Sequence, residues 1–252
     1  MCIMAMAWAA HPRWQLLLIG NRDEYHARPA APLAPWPDRP GVIAGRDLQS
    51  GGTWLGVSTA GRVAIVTNLR GHGDRSPDRA SRGALVADLL AGDGSYADAP
   101  PSALDDFNPF NLILIDDQTA HFLTNHPAPR RTHLPPGLYG LSNATLDAPW
   151  PKTLALKAAL AEWLTTNPDT PQSLFDPLRT ETLPATQAGD ETSPIFIRDS
   201  LYGTRCSTIV AIDTAGQGQI IERRFDATGH ATGDTLIDFR FPPAQSHAKA
   251  IP

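Results

Sequence analysis

Two short apolar runs, Cys2–Trp8 and Trp14–Ile19, are separated only by a turn around Ala10-His11-Pro12-Arg13. β-compatible runs of that length across so short a connection are predicted to pair as an antiparallel hairpin. The pattern recurs. Gly51-Gly52-Thr53-Trp54-Leu55-Gly56-Val57 turns at Thr59-Ala60-Gly61 and returns as Arg62–Thr67, and Phe110–Ile115 precedes His121–Thr124. Cys206–Ile212, Ile220–Phe225 and Thr235–Phe241 supply three more runs, and Ser193–Arg198 reads as a strand or sheet edge. Helical spacing is confined to the middle. Ser81–Leu90 groups Leu85, Val86, Leu89 and Leu90 on one side before Gly92. Lys152–Thr165 groups Leu156, Leu160, Trp163 and Leu164, and a shorter helix is expected around Leu174-Phe175. Strands first, helices next and strands last predict an α+β fold with antiparallel sheets. Five prolines between Arg28 and Pro40 predict an extended surface loop there, and the stretch ending at Gly137 reads as turn-rich.

The second residue is the chemically informative one. When the initiator methionine is trimmed, Cys2 becomes residue one, and its thiol lies beside a free α-amine of similar proton affinity. A nucleophile and its base then come from a single residue. A cysteine among Ile3, Met4, Met6 and Trp8 is also readable as a small buried hydrophobe. Where the second strand ends, Asn21 and Asp23 share one face and Arg22 takes the other, so a suitable register brings the Asp23 carboxylate to the terminal amine. Thr67-Asn68-Leu69-Arg70 puts an amide and a guanidinium at a strand tip, and Trp36 either anchors the proline-rich loop or lines a cleft.

The remaining numbers narrow the class. A formal net charge of −5 gives no electrostatic attraction for nucleic acid or an anionic membrane. The two cysteines, Cys2 and Cys206, form neither a disulfide framework nor a thiolate zinc site, and Cys206 is expected to be structural. No apolar run approaches the roughly 20 residues of a membrane helix, so a cytoplasmic protein without integral membrane association is expected. Eight histidines are scattered without ligand spacing. The sequence does not disclose an oligomeric state.

Taken together, Met1-Cys2-Ile3, Asn21-Arg22-Asp23-Glu24, Gly51–Gly56, Thr67–Arg70, Ser81-Arg82-Gly83, Tyr139–Asn143, Trp150-Pro151-Lys152 and Tyr202-Gly203-Thr204-Arg205 resemble the NRDE family, that of transport and Golgi organisation protein 2. That family is similar to N-terminal-nucleophile hydrolases of the choloylglycine hydrolase and penicillin V acylase type. The resemblance implies an αββα sandwich formed by one domain over residues 1–242; residues 243–252 carry little core-forming material and are expected to form a mobile tail. It further implies Cys2 as nucleophile, Asp23 bracing its amine, Asn68 and Asn143 near the oxyanion, and Arg205 close to the nucleophile. Arg22, Trp36, Trp54 and Arg70 are candidates for substrate contact. Arg22 departs from the hydrolase pattern, which carries its arginine three residues before the aspartate. The implied function is hydrolysis or transfer of an acyl group from a small linear amide, with no cofactor for catalysis. The alternative is a non-catalytic carrier of haem or an acyl metabolite.

Overall fold

The computed structural model describes residues 2–72, 76–116, 119–166, 170–183 and 194–241. The chain runs through β1 (Cys2–Trp8), β2 (Trp14–Tyr25), β3 (Ala30–Pro35), β4 (Val42–Asp47), β5 (Leu55–Ser58) and β6 (Arg62–Asn68) to helix α1 (Arg82–Ala91). β7 (Phe110–Asp116), β8 (Thr119–Thr124), β9 (Arg130–Leu134) and β10 (Gly137–Leu141) lead to α2 (Pro151–Thr166) and the single-turn α3 (Phe175–Leu178). β11 (Tyr202–Asp213), β12 (Gln217–Phe225) and β13 (Ala231–Arg240) close the described fold.

The strands form two antiparallel sheets, one in the order β10-β1-β2-β11-β12-β13 and one running β3 through β9 in sequence order. Alternation along β1 explains the layering. Met4, Met6 and Trp8 point into the core between the sheets, where they meet Leu55, Val63 and Ile113 from the second sheet. Ile3, Ala5 and Ala7 point outward and are covered by Leu156 and Leu160 of α2 and Phe175 of α3. On the opposite outer face Leu85, Val86, Leu89 and Leu90 of α1 pack on Ala44, Ala64 and Val66. The result is the expected αββα sandwich. α1 stops at Gly92, which takes a left-handed φ of 72° and donates its N–H to Asp88 O.

Several local expectations need correction. The Arg28–Pro40 segment contains an edge strand, β3, with a register irregularity between Ala31 and Ala34 that accommodates Pro32; an edge tolerates proline because one side of its ladder needs no donor. β4 and the two strands after Asn125 lack a clear apolar alternation. β9, at the other edge, exposes Arg130, Arg131 and His133, and β10 is glycine-rich. Pro194–Arg198 is not a strand. It docks on the start of β11 through Thr204 N–H to Ile197 O and Ile197 N–H to Thr204 Oγ1, each 2.9 Å. Ser193 and the 243–252 tail lie outside the described residues. Among the described residues no helix is long and apolar enough to cross a membrane.

Candidate active site

Strand register builds the site. Cys2 pairs with Arg22 across β1 and β2, Arg22 pairs with Cys206 on β11, and Cys206 pairs with Arg224 on β12. Directly paired residues share a face, so a row of thiol, guanidinium, thiol and guanidinium crosses four strands on the side facing the second sheet. Cys2 and Cys206 are two strands apart, roughly 10 Å at the usual strand spacing, beyond the reach of a disulfide.

The opposite face carries Asn21 and Asp23. Asn21 is buried and structural: its Nδ2 donates to Leu178 O and Ile195 O, both at 2.9 Å, and its Oδ1 accepts from Ser207 Oγ at 2.6 Å. Asp23, 4% exposed, accepts a 2.6 Å hydrogen bond from Thr204 Oγ1, while its main-chain oxygen accepts from Tyr202 Oη at 2.8 Å. Burial raises the Asp23 carboxyl from 3.8 to about 6, against the opposing pull of the amino terminus, the Thr204 bond, Lys152 and Arg22. Burial likewise pushes the Cys2 thiol up. The amino terminus opposes that shift, Asp23 adds to it, and Arg22 and a hydrogen bond from the Asp23 main chain oppose it. The chain carries Met1, so the Cys2 nitrogen is here a peptide nitrogen and becomes an amine only on trimming.

Cys2 and Asp23 open on a cleft of about 110 Å3 whose walls include Arg22, Trp54, Asn68 and Arg82. Its charges are interlocked. Asp47 Oδ2 lies 2.7 Å from Arg28 Nε and 3.6 Å from Arg22 Nη2, and the Arg22 guanidinium lies over the Trp54 ring at 4.4 Å. Ser142 Oγ donates to Cys2 O at 3.0 Å, which ties the end of β10 to the start of β1. The glycine motifs supply close packing: a Cβ on Gly52 would fall 2.2 Å from Gly83 C, so the Gly51-Gly52-Thr53 turn and the start of α1 meet backbone to backbone beside the cleft.

A family model described as Transport and Golgi organisation 2 matches residues 1–227. The chain belongs to that family. The human Transport and Golgi organization protein 2 homolog is 33% identical over 256 residues, covering 88% of this chain and 92% of that protein. The mouse homolog is 31% identical with the same coverage. Among solved structures, a cysteine-to-alanine mutant of conjugated bile acid hydrolase from Clostridium perfringens superposes with a TM-score of 0.52 at 8% identity, covering 94% of this chain and 92% of that one. That likeness shows the N-terminal-nucleophile hydrolase fold.

In this member of the family, the residues singled out by sequence are distributed unevenly. Cys2, Asp23, Asn68, Arg22 and Trp54 share the cleft. Asn143 is buried next to it; its Nδ2 donates to Asn68 O at 2.8 Å, and its own main-chain oxygen accepts from Arg70 N–H at 2.9 Å. A side-chain amide has two N–H groups and this bond uses one. Arg70 lines an adjoining opening with Asn68 and Asn143. Trp36 is elsewhere: it is buried under α1, donates to Ala44 O at 3.0 Å and has Arg46 over its ring at 4.2 Å, so it anchors its segment.

Arg205 also points away from the cleft. It is the extra residue of a bulge between Thr204 and Cys206, and its Nη1 donates to Tyr25, Arg28 and His26 main-chain oxygens at 2.9, 3.0 and 3.2 Å. The arginine beside Cys2 is Arg22. Arg205→Ala is therefore expected to loosen the turn after β2 and cost about 1–3 kcal/mol in urea unfolding. Full stability combined with lost Cys2 reactivity would instead assign Arg205 to the cleft.

Sequence reasoning left Lys152, Thr204 and Arg82 without roles. Lys152 is 2% exposed at the first turn of α2, where the helix dipole disfavours a cation, and the Asp23 charge compensates it. α2 begins at Pro151, one residue before the expected start at Lys152, and proline suits that first turn. That this start brings Lys152 within electrostatic reach of Asp23 is a tertiary fact. Among the described residues no group of three or more His, Cys, Asp and Glu side chains is arranged to hold a metal.

Proposed function

We propose that the trimmed chain is a cysteine N-terminal-nucleophile hydrolase or acyltransferase acting on a small linear amide. The observation that carries this reading is the cleft that Cys2 shares with Asp23, a carboxylate only 4% exposed. Cys2 Sγ attacks the amide carbonyl while its proton passes to the α-amine, and Asp23 stabilises the ammonium that forms. Asn68, on the cleft wall, supplies an amide donor for the oxyanion, and Asn143 holds the Asn68 main chain in place. Collapse of the adduct breaks the C–N bond, and the ammonium returns its proton to the departing amine. Water, or an acceptor amine or alcohol, then attacks the Cys2 thioester and gives up its proton to the α-amine; the C–S bond breaks, the acyl product leaves, and the ammonium returns the proton to Cys2 Sγ.

The cleft, at about 110 Å3, is below the about 300–1,000 Å3 usual for ligand pockets, and its walls carry both signs of charge. It suits the reacting amide and its nearest substituents. The rest of the substrate has room in the adjoining opening of about 280 Å3 between Tyr25, Tyr202, Asn68 and Arg70.

The test is an electrophilic acyl probe applied to protein whose chain begins at Cys2. Intact-mass and peptide mass spectrometry should find one acyl group, on Cys2, and none when Met1 is retained. A native protein that keeps Met1 argues against the reading, because the base is then blocked. Undetectable hydrolysis of linear amides, together with haemin or acyl-metabolite binding that survives Cys2→Ala, would favour carriage over catalysis.

A further inference from the structure

The thiol–guanidinium row continues past the cleft. On the far side of Arg22 and Trp54 lies a second cavity, of about 310 Å3, whose lining includes Cys206, Glu222 and Arg224 but not Cys2. Arg22 and Trp54 line both cavities and, being stacked at 4.4 Å, form the partition. We infer that this cavity is a second binding site, for a small amphiphilic carboxylate such as a short fatty or aromatic acid.

Three observations support that assignment. First, the lining is unbalanced in charge: Arg22, Arg205 and Arg224 face one carboxylate, Glu222. Glu222 is already engaged, accepting the Leu33 N–H at 2.9 Å, and Arg205 is engaged by three main-chain oxygens. Second, Arg22 Nη1 and Arg224 Nε are buried without a hydrogen-bond partner among the described residues, and Arg22 as a whole is 5% exposed. A buried guanidinium N–H left unpaired is unfavourable, and a carboxylate supplies two charged acceptor oxygens, enough for one N–H from each arginine. Third, the remaining wall is largely apolar, with Ala30, Ala31, Pro32, Trp54 and Phe225. An acid with a short hydrocarbon or aromatic body satisfies both halves, whereas inorganic phosphate satisfies one.

The arrangement is built into the fold. Arg224 is directly across from Gly233 on β13, and a Cβ there would lie 2.6 Å from Arg224 Nη2, so the glycine leaves the guanidinium its place. Cys206 donates to Glu222 and is pushed well above the ordinary thiol range, mainly by burial, which makes it an inert part of the wall.

Isothermal titration of the full chain with octanoate tests the inference. Saturable binding is expected, with no comparable binding of octanol or inorganic phosphate. Arg224→Gln should weaken octanoate by about tenfold, the factor lost with one charge-assisted contact. Ala31→Phe, which fills the cavity without touching a charge, should abolish binding, and urea midpoints report whether each variant folds. Cys2→Ala should bind as the parent does, so this site stands whether or not Cys2 is a nucleophile. Octanoate binding that is unchanged in both cavity variants, absent from the parent, or lost in Cys2→Ala would overturn it.

Discussion

Asp23→Asn is expected to slow acylation of Cys2 in the trimmed protein by about a hundredfold or more near neutral pH, the usual range for removing a group that supports proton transfer. The substitution is nearly isosteric, and the acceptor oxygen that meets Thr204 is retained. What is lost is the negative charge next to the terminal amine. In the chain that carries Met1, burial holds the carboxyl above its ordinary value, at about 6, so the acylation rate of the trimmed protein should climb as pH rises and Asp23 ionises. The step should be missing from the variant's pH profile. A variant within about threefold of the parent would remove Asp23 from the mechanism.

Stability should respond with the opposite sign. A carboxyl raised from 3.8 to about 6 on folding favours the folded, protonated form. Its contribution is fully present below the unfolded value and is lost as pH rises through the folded value. Above that window the stability of the parent should have fallen by up to about 3 kcal/mol, a fall that should be missing from Asp23→Asn, which in turn leaves Lys152 without its compensating charge at every pH. Urea unfolding across the window measures this directly.

Gly52→Ala is the structural counterpart and should cost about 3 kcal/mol or more. The added methyl would approach Gly83 C at 2.2 Å and Gly83 O at 2.3 Å. Both are backbone atoms that no rotamer change can move, and Arg82 on the cleft wall is attached to the same segment. Gly51→Ala is the control: its φ is 75°, but a Cβ there meets nothing within 4 Å, so only backbone strain of about 1 kcal/mol is expected. Equal urea midpoints for the two variants would remove the close approach as the reason for the glycine pair.

Much of this was legible in order along the chain. The first hairpin, the pairing of Leu55–Ser58 with Arg62–Asn68, both long helices and the Gly92 stop follow from periods of two and 3.6 and from terminators. The strands that escaped reading are those whose faces do not alternate strongly. Edge strands β3 and β9 owe their structure to one neighbour each, and the apolar signal of β10 is diluted by glycine. Trp36 and Arg205 show the same limit for single side chains. Both residue types suit a ligand site, yet one anchors a core and the other straps a turn.

The sequence by itself determined that Cys2 begins a strand and that Arg22 is on the face opposite Asn21 and Asp23, because side-chain direction along a strand is a local property. Only the tertiary structure decided that Arg22, not Arg205, faces the thiol, and that Asp23 is buried within electrostatic reach of Lys152. Those outcomes depend on the register of β1, β2 and β11 and on one bulge at Arg205, which shifts every side chain beyond it relative to its partner. Register is the joint result of contacts distant in sequence, so no local stretch encodes it.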